Sequence, residues 1–262
     1  MISANLSGGR DSSAMVVKWL ELGNELDYII FCDTGFEFPQ MYEYIDKLDS
    51  YLQRNFNISI TRIDSSKEIQ KWAFEYPIQS GENKGRLRGI PKTIGKEYCT
   101  RETKVNPTKR FVLEKSPNKF KNTALIGYTY NEVENGRVSN LDYAVSRYPL
   151  HEWQMNEPEV DTFLKERSIH NPLYEKFSRT GCYFCPKQSM RSLYTLYRDY
   201  PTLYQAMKEW EIKAKELNCV NQTWKPNLTL DELESRIKNM GVVGEQLFTN
   251  KFENEETCFC GK

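Results

Sequence analysis

The segment Ser7-Gly8-Gly9-Arg10-Asp11-Ser12-Ser13 decides the fold that the sequence predicts. Residues 1–7, which lead into it, are typical of a short buried strand. Residues 12–22 come next, and their apolar positions favour a helix packed on a sheet. Glycine has no Cβ, so the backbone of such a turn can approach a phosphate closely. The amide groups and the positive dipole end of the helix favour the same anion, so the segment predicts a phosphate-binding loop.

Three further segments continue the alternation of strands and helices. Residues 28–32 form an apolar run of strand type, residues 39–54 favour a helix with Pro39 in its first turn, and residues 57–63 alternate as a strand. Strands separated by helices in this order are typical of parallel sheets covered by helices. The sequence therefore predicts an α/β fold with a doubly wound, mostly parallel sheet and flanking helices.

The remainder of the chain predicts one more strand and several helices. The strand is expected at 123–127 and the helices at 107–115, 158–167, 189–217 and from Thr229, where a capping box begins, to about residue 240. Residues 78–98 are rich in Gly, Lys and Arg with weak periodicity, which predicts a mobile loop over the site.

Composition excludes several classes of protein. The chain has 262 residues with 36 Lys and Arg against 36 Asp and Glu, so a generally basic surface for nucleic acid is not expected. It contains no run of about 18 apolar residues, and its first residues do not resemble a secretory signal. We therefore expect a cytoplasmic chain without membrane association, in which thiols stay reduced.

Seven cysteines are present, and two of them have the spacing of a metal-ligand pair. Cys182 and Cys185 are separated by two residues, so their thiolates can face one ion from a tight turn. In a reducing compartment such a pair indicates metal binding or reactivity more often than a structural disulfide.

The phosphate loop resembles the Ser-Gly-Gly-x-Asp-Ser pyrophosphate loop (PP-loop) of the adenine nucleotide α-hydrolase superfamily. Further segments resemble its phosphoadenylyl-sulfate (PAPS) reductase family in the same order. They are Asp33-Thr34-Gly35-Phe36-Glu37-Phe38-Pro39, Tyr98-Cys99-Thr100-Arg101, Ile126-Gly127-Tyr128-Thr129, Tyr148-Pro149-Leu150-His151-Glu152-Trp153, Asn171-Pro172-Leu173-Tyr174 and Gly181-Cys182-Tyr183-Phe184-Cys185. The sequence departs from the family at Tyr128 and Thr129, which stand near the position of a family arginine. The resemblance implies a nucleotide-binding α/β domain at 1–180 and a helical part at 181–262 with a cysteine-bound metal site.

The resemblance also implies which residues bind the nucleotide. Asp11 is expected either to cap the helix or to hold Mg²⁺ near a pyrophosphate, and Lys104 is expected to neutralise charge during the reaction. The expected nucleotide-binding residues are Ser7, Gly8, Gly9, Asp11, Ser12, Ser13, Asp33, Thr34, Gly35, Gly127 and Arg137. The expected catalytic residues are Asp11, Lys104 and Cys260.

A cysteine-bound metal is implied by the resemblance to the adenylyl-sulfate (APS) reductases, which hold a [4Fe–4S] cluster. Zinc is the alternative, because four thiolates suit either metal. Two roles are open for Cys260. It is either a metal ligand or the counterpart of the nucleophilic cysteine in the C-terminal tail of the reductases. The candidate ligands are Cys99, Cys182, Cys185 and, from the tail, Cys258 or Cys260.

Three functions remain open from the sequence. The first is an ATP pyrophosphatase that adenylates an acceptor for sulfur transfer. The second is an APS or PAPS reductase that releases sulfite, and the third is a non-catalytic nucleotide- or metal-binding sensor. The implied partners are an adenine nucleotide, a sulfur-donor protein such as a cysteine desulfurase or a thioredoxin-like protein, and a nucleic-acid acceptor brought by a partner.

Overall fold

The computed structural model describes residues 1–92 and 98–239. The chain divides into two compact units. The first comprises residues 1–65 and 103–181, and the second comprises residues 66–102 and 182 onward. The division into domains expected at residue 180 stays a prediction.

Five strands and eleven helices are present in the described residues. The strands are β1 (Ile2–Leu6), β2 (Tyr28–Asp33), β3 (Ile60–Asp64), β4 (Thr123–Leu125) and β5 (Val145–Arg147). The helices are α1 (Arg10–Glu21), α2 (Pro39–Phe56), α3 (Glu68–Phe74), α4 (Tyr98–Thr100), α5 (Asn106–Lys115), α6 (Tyr130–Glu134), α7 (Pro149–Glu152), α8 (Glu157–Glu166), α9 (Met190–Asp199), α10 (Pro201–Glu216) and α11 (230–239). A π-helical turn (Arg101–Val105) and two 3₁₀ turns (Lys119–Lys121 and Pro172–Glu175) complete the list.

The five strands of the first unit form one parallel sheet in the order β3-β2-β1-β4-β5. The central strand β1 pairs Ala4 with Ile29 on one side and with Leu125 on the other. The direction of winding reverses between β1 and β4, which is where open α/β sheets bind their ligands. The predicted α/β fold with a parallel sheet and flanking helices is confirmed.

Helices α1 and α2 cover the sheet with apolar faces that the sequence predicts. In α2 the buried residues recur with helical spacing, while the intervening positions are mostly charged or polar. They are Met41, Tyr44, Ile45, Leu48 and Leu52. Because these side chains and those of α1 are removed from water, burial of apolar area stabilises the sheet–helix contact.

The C-terminal part is helical as predicted, but it is divided differently. The single helix expected at 189–217 is two helices, α9 and α10, which are separated at Tyr200. Pro201 lacks an amide proton and disfavours a helical conformation at the residue before it, so it begins α10. The capping box of α11 is confirmed, because Thr229 and Glu232 exchange side-chain to backbone hydrogen bonds of 2.9 and 3.1 Å.

The second unit has an aromatic core of its own. Phe184 lies 4.3 Å, centroid to centroid, from both Trp210 and Trp224, and Phe74 lies 4.7 Å from Trp210. Glu211 is buried beside them and accepts hydrogen bonds from the amides of Trp224 and Leu230, and burial raises the pKa of its carboxyl to about 7. None of the helices in the described ranges has both the length and the apolarity needed to cross a membrane.

Phe38 supplies a test of the first unit's core. It is fully buried at the start of α2, and its ring centroid lies 4.9 Å from that of Phe177. Phe38→Ala should lower the free energy of unfolding, measured by urea titration, by about 3–5 kcal/mol, since the cavity adds to the lost transfer energy. Phe120→Ala is the matched control, because Phe120 is 80% exposed, and it should change stability by less than about 0.5 kcal/mol. Equal losses in both variants would contradict the assignment of Phe38 to the core.

Candidate phosphate-binding site

The loop between β1 and α1 has a conformation that requires glycine at its centre. Gly8 has a φ of +77°, and a Cβ at this position would lie 2.3 Å from Sδ of Met41. The Oγ atoms of Ser7 and Ser12 lie 3.0 Å apart, which closes the loop across its mouth. A side chain at Gly8 would therefore strain the backbone and collide with α2.

The segment Asn171-Pro172-Leu173-Tyr174 supports the loop from behind. The side-chain amide of Asn171 donates to the carbonyl oxygen of Gly8 at 2.9 Å, and the amide of Arg10 donates to the Tyr174 hydroxyl at 3.0 Å. The amide of Leu173 donates to Oδ1 of Asn171 at 3.0 Å, which fixes the orientation of this side chain. The sequence marks this segment only by its resemblance to the family, because its supporting role depends on contacts between residues far apart in the chain.

Helix α1 presents its N-terminus to the site. Its first helical hydrogen bond runs from the amide of Ser13 to the carbonyl oxygen of Gly9 at 3.1 Å, so the amides of Asp11 and Ser12 precede the helical pattern. The hydroxyl groups of Ser12 and Ser13 donate to the same Gly9 oxygen, at 3.1 and 2.9 Å. In this conformation the two serines hold the turn, and the backbone amides at the start of α1 are the candidate anion-binding groups.

The carboxyl group of Asp11, in the first turn of α1, has a raised pKa. Burial, and then the nearby carboxylate of Glu132, raise the pKa of Asp11 from its ordinary value of 3.8 to about 7. Glu157 raises it further, while Arg10 and Arg137 oppose the shift. Within the described residues the Oδ1 atom of Asp11 is buried and accepts no hydrogen bond, and its nearest cationic atom is Nε of Arg10 at 4.0 Å. Ionising a carboxylate whose buried oxygen has no hydrogen-bond partner is unfavourable, which is why the pKa of this partly buried acid is raised toward neutral pH.

Both arginines of the site are already paired with carboxylates. Arg10 forms an ion pair with Glu157, and Arg137 forms one with Glu132. The guanidinium of Arg137 also lies 4.0 Å over the ring of Tyr128. Burial disfavours the charge of Arg137, but Glu132 and Tyr128 outweigh it and raise its pKa above the ordinary value. The anion-binding role expected for Arg137 stays a prediction.

Gly127, at the end of β4, lies directly against the loop. A Cβ there would be 2.8 Å from the backbone nitrogen and Cα of Ser12. A side chain would therefore displace the first turn of α1, which is a packing reason for glycine at this position. This contact brings the segment after β4 to the phosphate-binding loop.

The segment after β2 forms a second polar cluster. Oδ1 of Asp33 accepts hydrogen bonds from the amide of Gly35 and the hydroxyl of Tyr42, both at 2.8 Å. The Thr34 hydroxyl donates to the buried Glu37 carboxyl at 2.9 Å. Burial raises the pKa of Glu37, and the charge of Lys104 opposes this shift, so Lys104 lies close enough to act on the cluster. Tyr42 and Glu37 were not singled out by sequence analysis.

The predicted metal ligands fall in the second unit or outside the described residues. Cys99 is in α4, and Cys182 and Cys185 share a turn closed by a 3.1 Å hydrogen bond from the Cys185 amide to the Cys182 carbonyl oxygen. Cys258 and Cys260 lie outside the described residues. No group of three or more His, Cys, Asp or Glu side chains that could hold a metal ion occurs within residues 1–92 and 98–239. The expected cysteine-bound metal site therefore has a two-thiol turn but no assembled ligand set in this part of the chain.

Comparison with known proteins identifies the family. Residues 1–188 match the phosphoadenosine phosphosulfate reductase domain, and the chain belongs to this family. Membership implies an α/β fold that binds an adenine nucleotide, in a family whose members are typically enzymes. The predicted family is confirmed.

Two relatives come from Methanocaldococcus jannaschii. The uncharacterized protein MJ0066 is 26% identical over 80% of this chain and 40% of its own length, and the uncharacterized protein MJ0973 is 24% identical over 78% and 46%. The chain thus spans less than half the length of these curated relatives.

Two solved structures show limited similarity. The PAPS reductase from Candida auris, in a phosphate complex, has a TM-score of 0.46 and 16% identity over 69% of this chain and 80% of its own. The U34-tRNA thiolase NcsA from Methanococcus maripaludis with its [4Fe-4S] cluster has a TM-score of 0.44 and 14% identity over 92% and 82%.

The raised pKa of Asp11 predicts a pH-dependent stability. Between about pH 4 and pH 7 the native state binds a proton that the unfolded state releases, so the free energy of unfolding falls as the pH rises through this window. Asp11→Asn removes this effect. It should be more stable than the wild type at pH 8 by about 1–2 kcal/mol, given about 1.4 kcal/mol per pKa unit and partial screening by solvent, and equally stable at pH 4.

Urea unfolding at several pH values measures this difference. Asp46→Asn is the control, because Asp46 is exposed and paired with Arg62, and its effect should stay below about 0.5 kcal/mol. A difference between Asp11→Asn and the wild type that does not vary with pH would show that Asp11 titrates normally.

Proposed function

We propose that this protein is an ATP pyrophosphatase that transfers the adenylyl group of ATP to an acceptor for sulfur transfer. The reaction forms a bond between an acceptor oxygen and the α-phosphorus and breaks the bond from that phosphorus to the oxygen that bridges to the β-phosphate. Pyrophosphate leaves with the electron pair. The proposal concerns the described chain, which spans less than half of its matched relatives.

The observation that carries the proposal is the environment of Asp11. Its partly buried carboxyl lies at the N-terminus of α1, where burial and the nearby Glu132 and Glu157 raise its pKa to about 7. Both nearby arginines are paired with carboxylates, so neither offers an unpaired positive charge to the loop. Such a site suits a polyphosphate that arrives with its own divalent cation better than it suits a sulfonucleotide held by arginines alone.

The chain's residues would then have distinct roles. The amides of Asp11 and Ser12 and the dipole of α1 bind phosphate oxygens, and Gly8 and Gly9 let the backbone approach them. Asp11 is suited to bind Mg²⁺ directly, because Mg²⁺ in nucleotide sites is held by one or two carboxylates together with substrate phosphates. When bound, Mg²⁺ supplies charge neutralisation for the leaving pyrophosphate. The cluster of Asp33, Thr34 and Gly35 is proposed to bind the nucleoside, with Lys104 beside it.

A cysteine-bound metal in the second unit is a separate part of the proposal. The turn of Cys182 and Cys185 suits two ligands of a [4Fe–4S] cluster or of zinc, and both side chains are partly exposed. Cys99 and Cys258 or Cys260 are the proposed remaining ligands, and Cys260 alternatively the nucleophile of a reductase. A sulfur-donor protein and a nucleic-acid acceptor are the proposed partners.

The nucleotide preference tests the proposal. In calorimetric titrations at pH 6.5, Mg²⁺–ATP should bind more tightly than APS or PAPS. Binding should release protons, since cation binding ionises the Asp11 carboxyl. Titrations in buffers of different ionisation enthalpy measure this release. With water in place of the acceptor oxygen, α-labelled ATP should yield AMP and pyrophosphate. Asp11→Asn should lose the proton release and bind Mg²⁺–ATP at least about tenfold more weakly, which equals about 1.4 kcal/mol.

Asp46→Asn is the matched control and should keep the wild-type affinity and proton release. Tighter binding of APS or PAPS, with sulfite as the product, would replace the proposal with a reductase. Nucleotide binding without any product would replace it with a sensor, and labelled ADP in place of AMP would exclude attack at the α-phosphorus.

The metal content of anaerobically purified protein tests the cysteine site. Wild-type protein should contain iron with inorganic sulfide, or zinc, and Cys182→Ser should lose it, because a missing thiolate opens the ligand set. Cys219→Ala is the control, since Cys219 is a buried residue outside the proposed set and its variant should keep the metal. Equal metal content in all three proteins would remove the site from the proposal.

A further inference from the structure

Two tyrosine rings and a guanidinium group are stacked beside the phosphate-binding loop. The ring centroids of Tyr128 and Tyr148 are 5.6 Å apart with an angle of 10° between their planes, and the guanidinium of Arg137 lies 4.0 Å over the Tyr128 ring. We call these three residues the tyrosine stack. Offset parallel stacking is a favourable arrangement of two aromatic rings, and nucleobases stack on aromatic side chains.

The stack is joined to the loop through the backbone and through charge. Tyr128 directly follows Gly127, which lies against the backbone of Ser12. Glu132 pairs with Arg137 of the stack and also raises the pKa of Asp11. A ring bound at the stack would therefore lie beside the phosphates rather than on a remote surface.

The order of the strands separates the stack from the proposed nucleoside position. Strands β2 and β4 flank β1 on opposite sides, and Asp33-Thr34-Gly35 follows β2 whereas Tyr128 follows β4. The phosphate-binding loop follows β1, between them. The nucleoside of ATP can thus lie on the β2 side of the loop, and the acceptor can approach the α-phosphate from the β4 side. The loop between them lies where the winding of the sheet reverses.

The rings are held in place without a ligand. The Tyr148 hydroxyl accepts a hydrogen bond from the amide of Ser139 at 2.7 Å, and the amide of Tyr128 donates to the carbonyl oxygen of Ile126 at 2.9 Å. Both tyrosines are only partly buried. Because few conformations are lost when a ligand binds to a fixed surface, such a stack favours binding of a planar group.

We propose that the tyrosine stack binds a heterocyclic base of the second substrate, which is the acceptor of the adenylyl group. This inference rests on the proposed function and names the substrate class of the same site. A ring carbonyl oxygen of the base forms the bond to the α-phosphorus, pyrophosphate leaves with the electron pair, and the proton of the adjacent ring N–H passes to water. A free nucleotide and a single-stranded polynucleotide share this base.

Photo-crosslinking with 5-iodouracil tests the inference. The probes are 5-iodouridine monophosphate and a short single-stranded oligouridylate with one 5-iodouridine, each with Mg²⁺ and α,β-methylene ATP. The crosslink, mapped by mass spectrometry, should fall on Tyr128 or Tyr148. Tyr128→Leu should lower the yield at least about tenfold, since stacking of a base on an aromatic ring is a large share of its affinity. Tyr128→Phe should retain the yield because it keeps the ring.

Tyr76→Leu is the matched control, because Tyr76 is a 47% exposed tyrosine of the second unit, and it should crosslink like the wild type. Comparison of the two probes identifies the source of the base. Crosslinks at Tyr76 or Trp72, or a yield that Tyr128→Leu leaves unchanged, would overturn the inference. So would an equal loss of α,β-methylene ATP affinity in Tyr128→Leu, since the stack would then bind adenine.

If Tyr128→Leu does not fold, two measurements still test the inference. They are the position of the crosslink in the wild type and the yield of the Tyr128→Phe variant. Failure of the proposed function has a different signature. In that case labelled ATP yields no AMP and pyrophosphate, whatever the crosslinks show. Turnover of ATP without a crosslink at the stack would overturn the inference alone.

Discussion

The support of the Gly8 carbonyl by Asn171 is the contact on which the rest of the site depends. It holds a left-handed glycine between β1 and α1, at a point where Met41 leaves no room for a side chain. With this turn fixed, α1 directs its first amides outward and Gly127 can pack against them. The conformation of this candidate phosphate-binding loop thus depends on three segments that are far apart in the chain, because the loop's own hydrogen bonds do not determine its position on the sheet.

Charge around this loop is arranged in pairs, with one exception. Arg10 and Arg137 each have a carboxylate partner, whereas the buried oxygen of Asp11 has no hydrogen bond within the described residues. Burial raises the pKa of Asp11 to about 7, and a bound divalent cation would favour its ionised form. The same acid therefore connects the stability of the free protein with the chemistry proposed for its nucleotide.

Several features of the molecule were predictable because they depend on local pattern. The strand-loop-helix at the N-terminus, the apolar period of α2 and the capping box of α11 are all confirmed. Other features depend on contacts that no local pattern reports. Short elements such as β5, α6 and α7 are not predicted, since three to five residues show too little periodicity. The helix expected at 189–217 is two helices, because Pro201 interrupts it although the apolar spacing continues on both sides.

By itself, the sequence determined the fold class and the family, because glycine spacing, hydrophobic period and ordered motifs are properties of consecutive residues. It also identified Asp11 and Gly127 as candidates. Only the tertiary structure decided that Asp11 is partly buried near Glu132 and Glu157, that Asn171 and Tyr174 support the loop, and that Tyr128 and Tyr148 stack beside it. These relations depend on the order of strands in the sheet, which brings distant residues to one edge and sets the dielectric environment of each charge.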